Sequence, residues 1–219
     1  MVEISTSVLS CKEDDIVNTL YNLETAKPDY FHIDVMDGEF VEENTHDLML
    51  KYCEYLSHIS QTPIEVHLMV KDVKNFIDGY KIFYPNQIIF HLEAIFEDSK
   101  IMEAISYIKE NGMKVGVAIN PATSLDRIYK YLPYIHTVLV MSVYPGKGGQ
   151  PFIEETVDKI KELKQYIEKE NLDLDIEVDG GINNVTAKKV IEAGANVLVS
   201  GSYITNSDNY KEAIDSLRQ

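Results

Sequence analysis

Basic charge is scarce in this chain of 219 residues: 20 lysines and arginines stand against 36 aspartates and glutamates, a formal net charge of −16. Nucleic acid is bound by a basic footprint that releases counterions, and such an acidic chain argues against it. Anionic membrane surfaces are disfavoured on the same ground. Cys11 and Cys53 are the only cysteines, too few for a disulfide framework and without the paired spacing of a zinc knuckle. No apolar run approaches the roughly 20 residues that a membrane span needs. The opening MVEISTSVLS has an acid at position 3 and no basic flank, unlike a secretory signal. What remains is a soluble, cytoplasmic protein with no nucleic-acid or membrane partner. At 45% hydrophobic residues it can bury a core, so its charge does not signal disorder.

No linker interrupts the chain. β-rich runs at Glu3–Leu9, Tyr30–Val35, Ile64–Val70, Gln87–His91, Lys114–Ile119, Thr137–Met141, Leu174–Val178 and Asn196–Val199 alternate with helical patterns. The helical patterns are Lys12–Glu24, His46–His58, Val73–Phe83, Ser99–Asn111, Leu125–Tyr131, Ile153–Glu170, Val185–Glu192 and Asp208–Leu217. In the fourth, Ile101, Ile105 and Ile108 share a face while Lys100, Glu103, Lys109 and Glu110 lie off it, as a helix covering a sheet requires. Alternation of this kind implies parallel strands joined by right-handed crossovers. Eight units close most naturally into a (β/α)8 TIM barrel, a single α/β domain over residues 1–219. The alternative, an open doubly wound sheet, usually has a glycine-rich turn after its first strand. Here that turn reads Leu9-Ser10-Cys11-Lys12, without a glycine.

In a barrel the βα loops at the strand ends build the site. Period-two alternation puts His32, Asp34 and Met36 on one face of the second strand, with Ile33 and Val35 on the other. By the same rule His67 and Met69 share a face of the third strand, and Glu177 and Asp179 one of the seventh. His32, Asp34, His67 and Asp179 therefore converge as two imidazoles and two carboxylates. That donor set suits Zn²⁺, Fe²⁺, Mn²⁺ or Co²⁺ better than Ca²⁺ or Mg²⁺. Each alone reads more readily as a core histidine or a helix-capping aspartate; their joint placement at strand ends favours the ion.

A second constellation is Val143-Tyr144-Pro145-Gly146-Lys147-Gly148-Gly149-Gln150, expected to open the sixth helix. Dense glycine frees backbone N–H groups for an anion, and a helix start behind it adds a favourable dipole. Gly180-Gly181 and Gly201-Ser202 repeat the chemistry after the next two strands, where barrels bind phosphate. Met36, Met69 and Met141 each close a strand and make a soft apolar wall. His91 and Glu93 fit an orienting role through hydrogen bonds. His58 and His136 read as solvated.

These residues resemble the ribulose-phosphate 3-epimerase family over nearly the whole chain, from Ser7-Val8-Leu9-Ser10 to Gly201-Ser202-Tyr203-Ile204. The matching segments include His32-Ile33-Asp34-Val35-Met36-Asp37-Gly38, Val66-His67-Leu68-Met69-Val70, Val140-Met141-Ser142-Val143, Gly148-Gly149-Gln150-Pro151-Phe152 and Ile176-Glu177-Val178-Asp179-Gly180-Gly181. The resemblance implies one divalent ion per chain, Zn²⁺ foremost, on His32, Asp34, His67 and Asp179. It implies Asp34 and Asp179 as the acid/base pair that interconverts ribulose 5-phosphate and xylulose 5-phosphate. It further implies substrate contacts from Ser7 and His67, phosphate held by the three glycine loops, and a homo-oligomer, dimeric or hexameric. Met36, Met69 and Met141 would shield the enediolate from stray protons.

Some positions depart from the family pattern. Phe40-Val41-Glu42-Glu43-Asn44 stands where Phe-Val-Pro-Asn is usual, and Lys147 where an aromatic residue is usual. Ser5-Thr6-Ser7 replaces Ala-Pro-Ser, and Pro121-Ala122-Thr123 replaces Pro-Gly-Thr. None removes a catalytic residue, but these loops flank the pocket and leave open a six-carbon ketose phosphate such as allulose 6-phosphate as substrate. A separate alternative, a non-catalytic phosphosugar-binding barrel, predicts loss of a carboxylate or ligand, and His32, Asp34, His67 and Asp179 are all present.

Overall fold

In the computed structural model, which describes residues 2–219, eight parallel strands pair in chain order and close on themselves. They are β1 (Glu3–Ser7), β2 (Tyr30–Met36), β3 (Ile64–Met69), β4 (Gln87–His91), β5 (Lys114–Ile119), β6 (Thr137–Met141), β7 (Asp175–Asp179) and β8 (Val197–Ser200). Around them lie α1 (Ile16–Ala26), α2 (His46–Ile59), α3 (Val73–Tyr80), α4 (Asp98–Glu110), α5 (Thr156–Lys169), α6 (Thr186–Ala193), the single turn α7 (Ser202–Thr205) and α8 (Tyr210–Ser216). This is the (β/α)8 barrel that the alternation predicts. Met1, the first residue of the expected domain and of the opening segment, lies outside the described residues.

One expected α-helix is absent. Leu125–Tyr131 forms two 3-10 segments, Leu125–Arg127 and Tyr129–Tyr134. Leu125, Ile128 and Tyr131 are all buried, and a spacing of three is the eclipsed face of a 3-10 helix. Pro133 removes an N–H that an α-helix would need.

Alternation along the strands divides the interior into two layers. Ile33, Val35, Val66, Leu68, Val117 and Val140 point outward into the main core beneath the helices. Inside the barrel, Ile89, Ala118, Leu139 and Val199 pack as a separate apolar cluster. Much of the remaining interior is polar: Ser5, His32, Glu65, Gln87, Thr137 and Glu177 are all buried. Buried polar groups need partners, and these find one another. Thr137 Oγ1 donates to Gln87 Oε1 at 2.6 Å, Gln87 Nε2 to Glu177 Oε2 at 3.4 Å, and Ser5 Oγ to Glu65 Oε1.

Strand register carries the polar face up to one rim. Asp34 lies opposite His67 and Met36 opposite Met69, while Met141 lies opposite Asp179. No helix among the described residues is long and apolar enough to cross a membrane.

Both cysteines are free, and burial pushes both thiols up to about 12. At pH 8 such a thiol is about 10⁻⁴ ionised, against about one quarter for a free cysteine. Alkylation of the native protein is therefore expected to run about 10³-fold slower than that of the unfolded chain. Thiol titration with and without denaturant measures this; native rates near those of a free thiol would contradict it.

Candidate active site and metal centre

The rim formed by the ends of β2, β3 and β7 brings His32, Asp34, His67 and Asp179 together. His32 Nε2 lies 3.3 Å from Asp34 Oδ1, 3.9 Å from Asp179 Oδ2 and 3.3 Å from His67 Nδ1. His67 Nδ1 lies 3.1 Å from Asp34 Oδ1 and 3.6 Å from Asp179 Oδ2. A tetrahedral ion with bonds of about 2.0–2.1 Å sets its donors about 3.3–3.4 Å apart. The measured separations scatter around that edge.

Tautomers argue the same way. His32 Nδ1 faces Glu65 Oε1 at 2.8 Å and must donate to it, which leaves a neutral His32 with a bare Nε2. That lone pair then looks onto two carboxylates and a second imidazole, an arrangement that only a cation or a trapped proton relieves. Burial opposes charge on His32, yet Asp34, Glu177 and Glu65 outweigh it and hold its pKa well above the ordinary value. The donors present thus fit a divalent ion.

The two carboxylates differ. Burial works against the charge on Asp34, but the His32 charge and hydrogen bonds from His32 and His67 hold its carboxyl well below the usual range. Ser7 Oγ also donates to Asp34 Oδ2 at 2.7 Å. Burial, reinforced by the charge of Asp34, pushes Asp179 up to about 7.

A cavity of about 580 Å³ opens above the cluster. Its wall includes Ser7, Asp34, Met36, Met69, Met141 and Asp179, and the loops bearing Gly146, Lys147, Gly148, Gly149, Gly180, Gly181, Gly201 and Ser202. His32 and His67 do not reach that wall and are wholly buried beneath it. Among the described residues Lys147 is the only basic side chain in the wall, against Asp34, Glu154 and Asp179.

The sixth loop departs from expectation in how it is held. α5 begins at Thr156, not Ile153, so no helix start backs the glycines directly. Instead Gln150 Nε2 donates to the carbonyls of Tyr144 and Lys147 at 2.6 and 2.7 Å, curling the loop on itself. Gly146, at φ +108°, lies against Val41, which a Cβ there would approach to 2.8 Å. Gly181 is held more tightly. Its φ is +65°, and an added Cβ would lie 2.8 Å from Phe152 N and 2.9 Å from Phe152 Cα, backbone atoms with no freedom to yield. Gly181→Ala is expected to cost about 1–3 kcal/mol and to raise KM through a displaced loop. Thermal melts and steady-state kinetics check both.

Two other expectations change or extend. His136 is half-buried, not solvated, because its Nδ1 accepts from the Val115 N–H at 3.1 Å; His58 is exposed as expected. Glu65 was not anticipated, although two residues before His67 on the same strand is where period-two alternation would seek it. It is held ionised: burial opposes this, but His32, Glu177 and Ser5 outweigh burial. Burial and the charge of Glu65 raise Glu177 well above its ordinary range.

Comparison with known proteins decides the family. Residues 3–205 match the profile of the ribulose-phosphate 3-epimerase family. The chain belongs to that family. A ribulose-phosphate 3-epimerase of Methanocaldococcus jannaschii is 39% identical over 100% of this chain and 91% of its own length. Its namesakes in Bacillus subtilis and Escherichia coli K12 are 38% and 35% identical, covering 100% and 98% of this chain and 99% and 94% of theirs. Membership in the epimerase family makes the chain an isomerase of carbohydrate metabolism. Among solved structures, KGPDC from Streptococcus mutans superposes with a TM-score of 0.72 at 12% identity, over 100% of this chain and 96% of that one. Orotidine 5'-monophosphate decarboxylase from Sulfolobus solfataricus gives 0.68 at 15% identity, over 99% and 96%. Both likenesses are likenesses of fold.

Proposed function

We propose that this epimerase inverts carbon 3 of D-ribulose 5-phosphate to give D-xylulose 5-phosphate, by proton removal on one face of the sugar and return on the other. The observation that carries this reading is the pair of carboxylates that both line the cavity, Asp34 on β2 and Asp179 at the end of β7. Asp34, oriented by Ser7, removes the C3 proton beside the C2 ketone. Asp179 delivers a proton to the opposite face of the planar enediolate, and in the reverse direction the two exchange roles. His32, Asp34, His67 and Asp179 would hold a divalent ion, Zn²⁺ before Fe²⁺, Mn²⁺ or Co²⁺. When bound there, such an ion supplies Lewis acidity that lowers the cost of the negative charge left by proton removal. Met36, Met69 and Met141, each nearly buried, keep water from the intermediate.

The phosphate is assigned to the glycine loops, with backbone N–H groups and Lys147 as its partners. In a protein of charge −16 that attraction has to be local. His67 acts through the ion, since it lies below the cavity wall. A cytoplasmic homo-oligomer completes the reading. The test is turnover of ribulose 5-phosphate beside allulose 6-phosphate, with entry of solvent deuterium at carbon 3. Faster turnover of the pentose phosphate is expected. No activity on it would overturn the substrate assignment, and binding without deuterium exchange would favour a non-catalytic barrel.

A further inference from the structure

Two imidazoles in nitrogen-to-nitrogen contact hold one proton between them, and the groups at the ends of the row decide which ring owns it. His67 Nε2 lies 2.9 Å from His91 Nε2, and the two rings meet edge to edge, their centroids 5.0 Å apart and their planes 26° from parallel. On the far side of His91, Nδ1 lies 3.2 Å from Glu93 Oε2. The other oxygen, Glu93 Oε1, accepts from the Asn120 N–H at 2.9 Å and from the Thr123 hydroxyl. That loop is itself anchored, because Lys159 Nζ on α5 donates to the carbonyls of Asn120, Pro121 and Thr123 at 3.0, 2.6 and 2.7 Å. His91 is wholly buried, with the Phe40 ring 5.1 Å from its own.

We propose that Glu93 and His91 are positioning residues that fix the tautomer of His67 and so aim a bare Nδ1 lone pair at the ion site. This rests on the reading of His67 as an ion ligand. A carboxylate only accepts, so His91 keeps its proton on Nδ1 and donates to Glu93. His91 Nε2 is then bare and accepts from His67 Nε2–H. His67 Nδ1 is left without a proton, 3.1 Å from Asp34 Oδ1. Partners beyond a ligating histidine set its orientation and basicity in this way, and losing them typically weakens metal binding about 10- to 100-fold.

Reversing the polarity at Glu93 reverses the row. In Glu93→Gln the amide oxygen remains where Asn120 and Thr123 donate, so the NH₂ group meets His91 Nδ1. The His91 proton then moves to Nε2, and His67 becomes protonated on Nδ1, where the ion would sit. Glu93→Asp keeps an acceptor and restores the original order.

The experiment pairs two measurements on the full-length protein: Zn²⁺ affinity by competition with a chromophoric chelator, and the His91 proton site in the metal-free protein by long-range ¹H–¹⁵N NMR. Expected are Nδ1–H in the wild type, Nε2–H in Glu93→Gln, Zn²⁺ affinity at least about 10-fold weaker in that variant, and recovery of most of it in Glu93→Asp. Affinity within twofold of the wild type overturns the proposal, and so does weaker affinity with His91 unflipped, since the loss would then be steric. Should Glu93→Gln not fold, His91→Phe keeps a ring and offers no acceptor; it too must bind Zn²⁺ about 10-fold more weakly, or the proposal fails. If the wild type takes up no Zn²⁺, the ion reading falls and this one with it; if the wild type binds Zn²⁺ and the variants bind it equally well, the relay alone falls.

Discussion

Asp179→Asn is expected to lower interconversion of the two pentose phosphates by at least about 10³-fold, and Asp34→Asn by as much or more, each with the barrel intact. The asparagine side chain preserves shape and hydrogen bonding, so melts and circular dichroism should stay near those of the parent. Ser7 Oγ, which now donates to Asp34, finds the amide oxygen in the same place. What disappears is a group that can take or give a proton, and with it one anionic donor of the proposed ion site, so each variant is assayed at saturating Zn²⁺. The two variants should not fail in the same way. With Asp179 removed, Asp34 still reaches one epimer's C3 proton, so that epimer should exchange C3 hydrogen with solvent deuterium while yielding almost no product. With Asp34 removed, the exchanging epimer should be the other one. Near-normal turnover in either variant would refute the two-base scheme, and exchange of both epimers in one variant would point to a single base.

Most of the architecture was legible because each strand has one face for the helices and one for the barrel. Ile33 and Val35 against His32 and Asp34 is a pattern that only one register satisfies. β4, β5 and β6 therefore fall where the sequence puts them, between Gln87 and Met141. Legibility failed where period is not the deciding quantity. Leu125, Ile128 and Tyr131 fit an α-helix and a 3-10 helix about equally over so short a run, and Pro133 tips the balance from outside the predicted span. In the sixth loop the glycines were visible, but the Gln150 side chain closing it was not, since a glutamine carries no pattern that names its partner.

At the site, the convergence of His32, Asp34, His67 and Asp179 was legible from alternation and their placement at strand ends. The layer below them was not sought there. Ser5 and Glu65 obey the same alternation as Ser7 and His67, one step further from the rim, and Glu65 is what fixes His32 in the tautomer that leaves Nε2 bare. A buried glutamate inside a barrel reads from sequence as an ordinary surface charge. Only closure of the sheet removes it from solvent and obliges it to find a proton donor.

Removal of the ion is expected to abolish activity nearly as completely as loss of either carboxylate. Chelation should cut turnover by about 10²–10⁴-fold, the range that several kcal/mol of charge stabilisation represents. Readdition of Zn²⁺ should restore it, Fe²⁺, Mn²⁺ and Co²⁺ in part, and Ca²⁺ and Mg²⁺ not, since two imidazoles are poor partners for hard cations. The same step should lower the melting temperature, because an ion at 1,000 times its dissociation constant adds about 4 kcal/mol to folding stability. That second readout separates an ion that organises the site from one that merely passes through it. Without a cation, His32 has to carry a proton in a wholly buried position, held there by Asp34, Glu177 and Glu65 against the cost of burial. A chelated protein shown by elemental analysis to be metal-free, yet turning over at the full rate, would require that trapped proton to do the work assigned to the ion. In a chain of net charge −16, it would also leave Lys147 as the only formal positive charge in the cavity wall among the described residues.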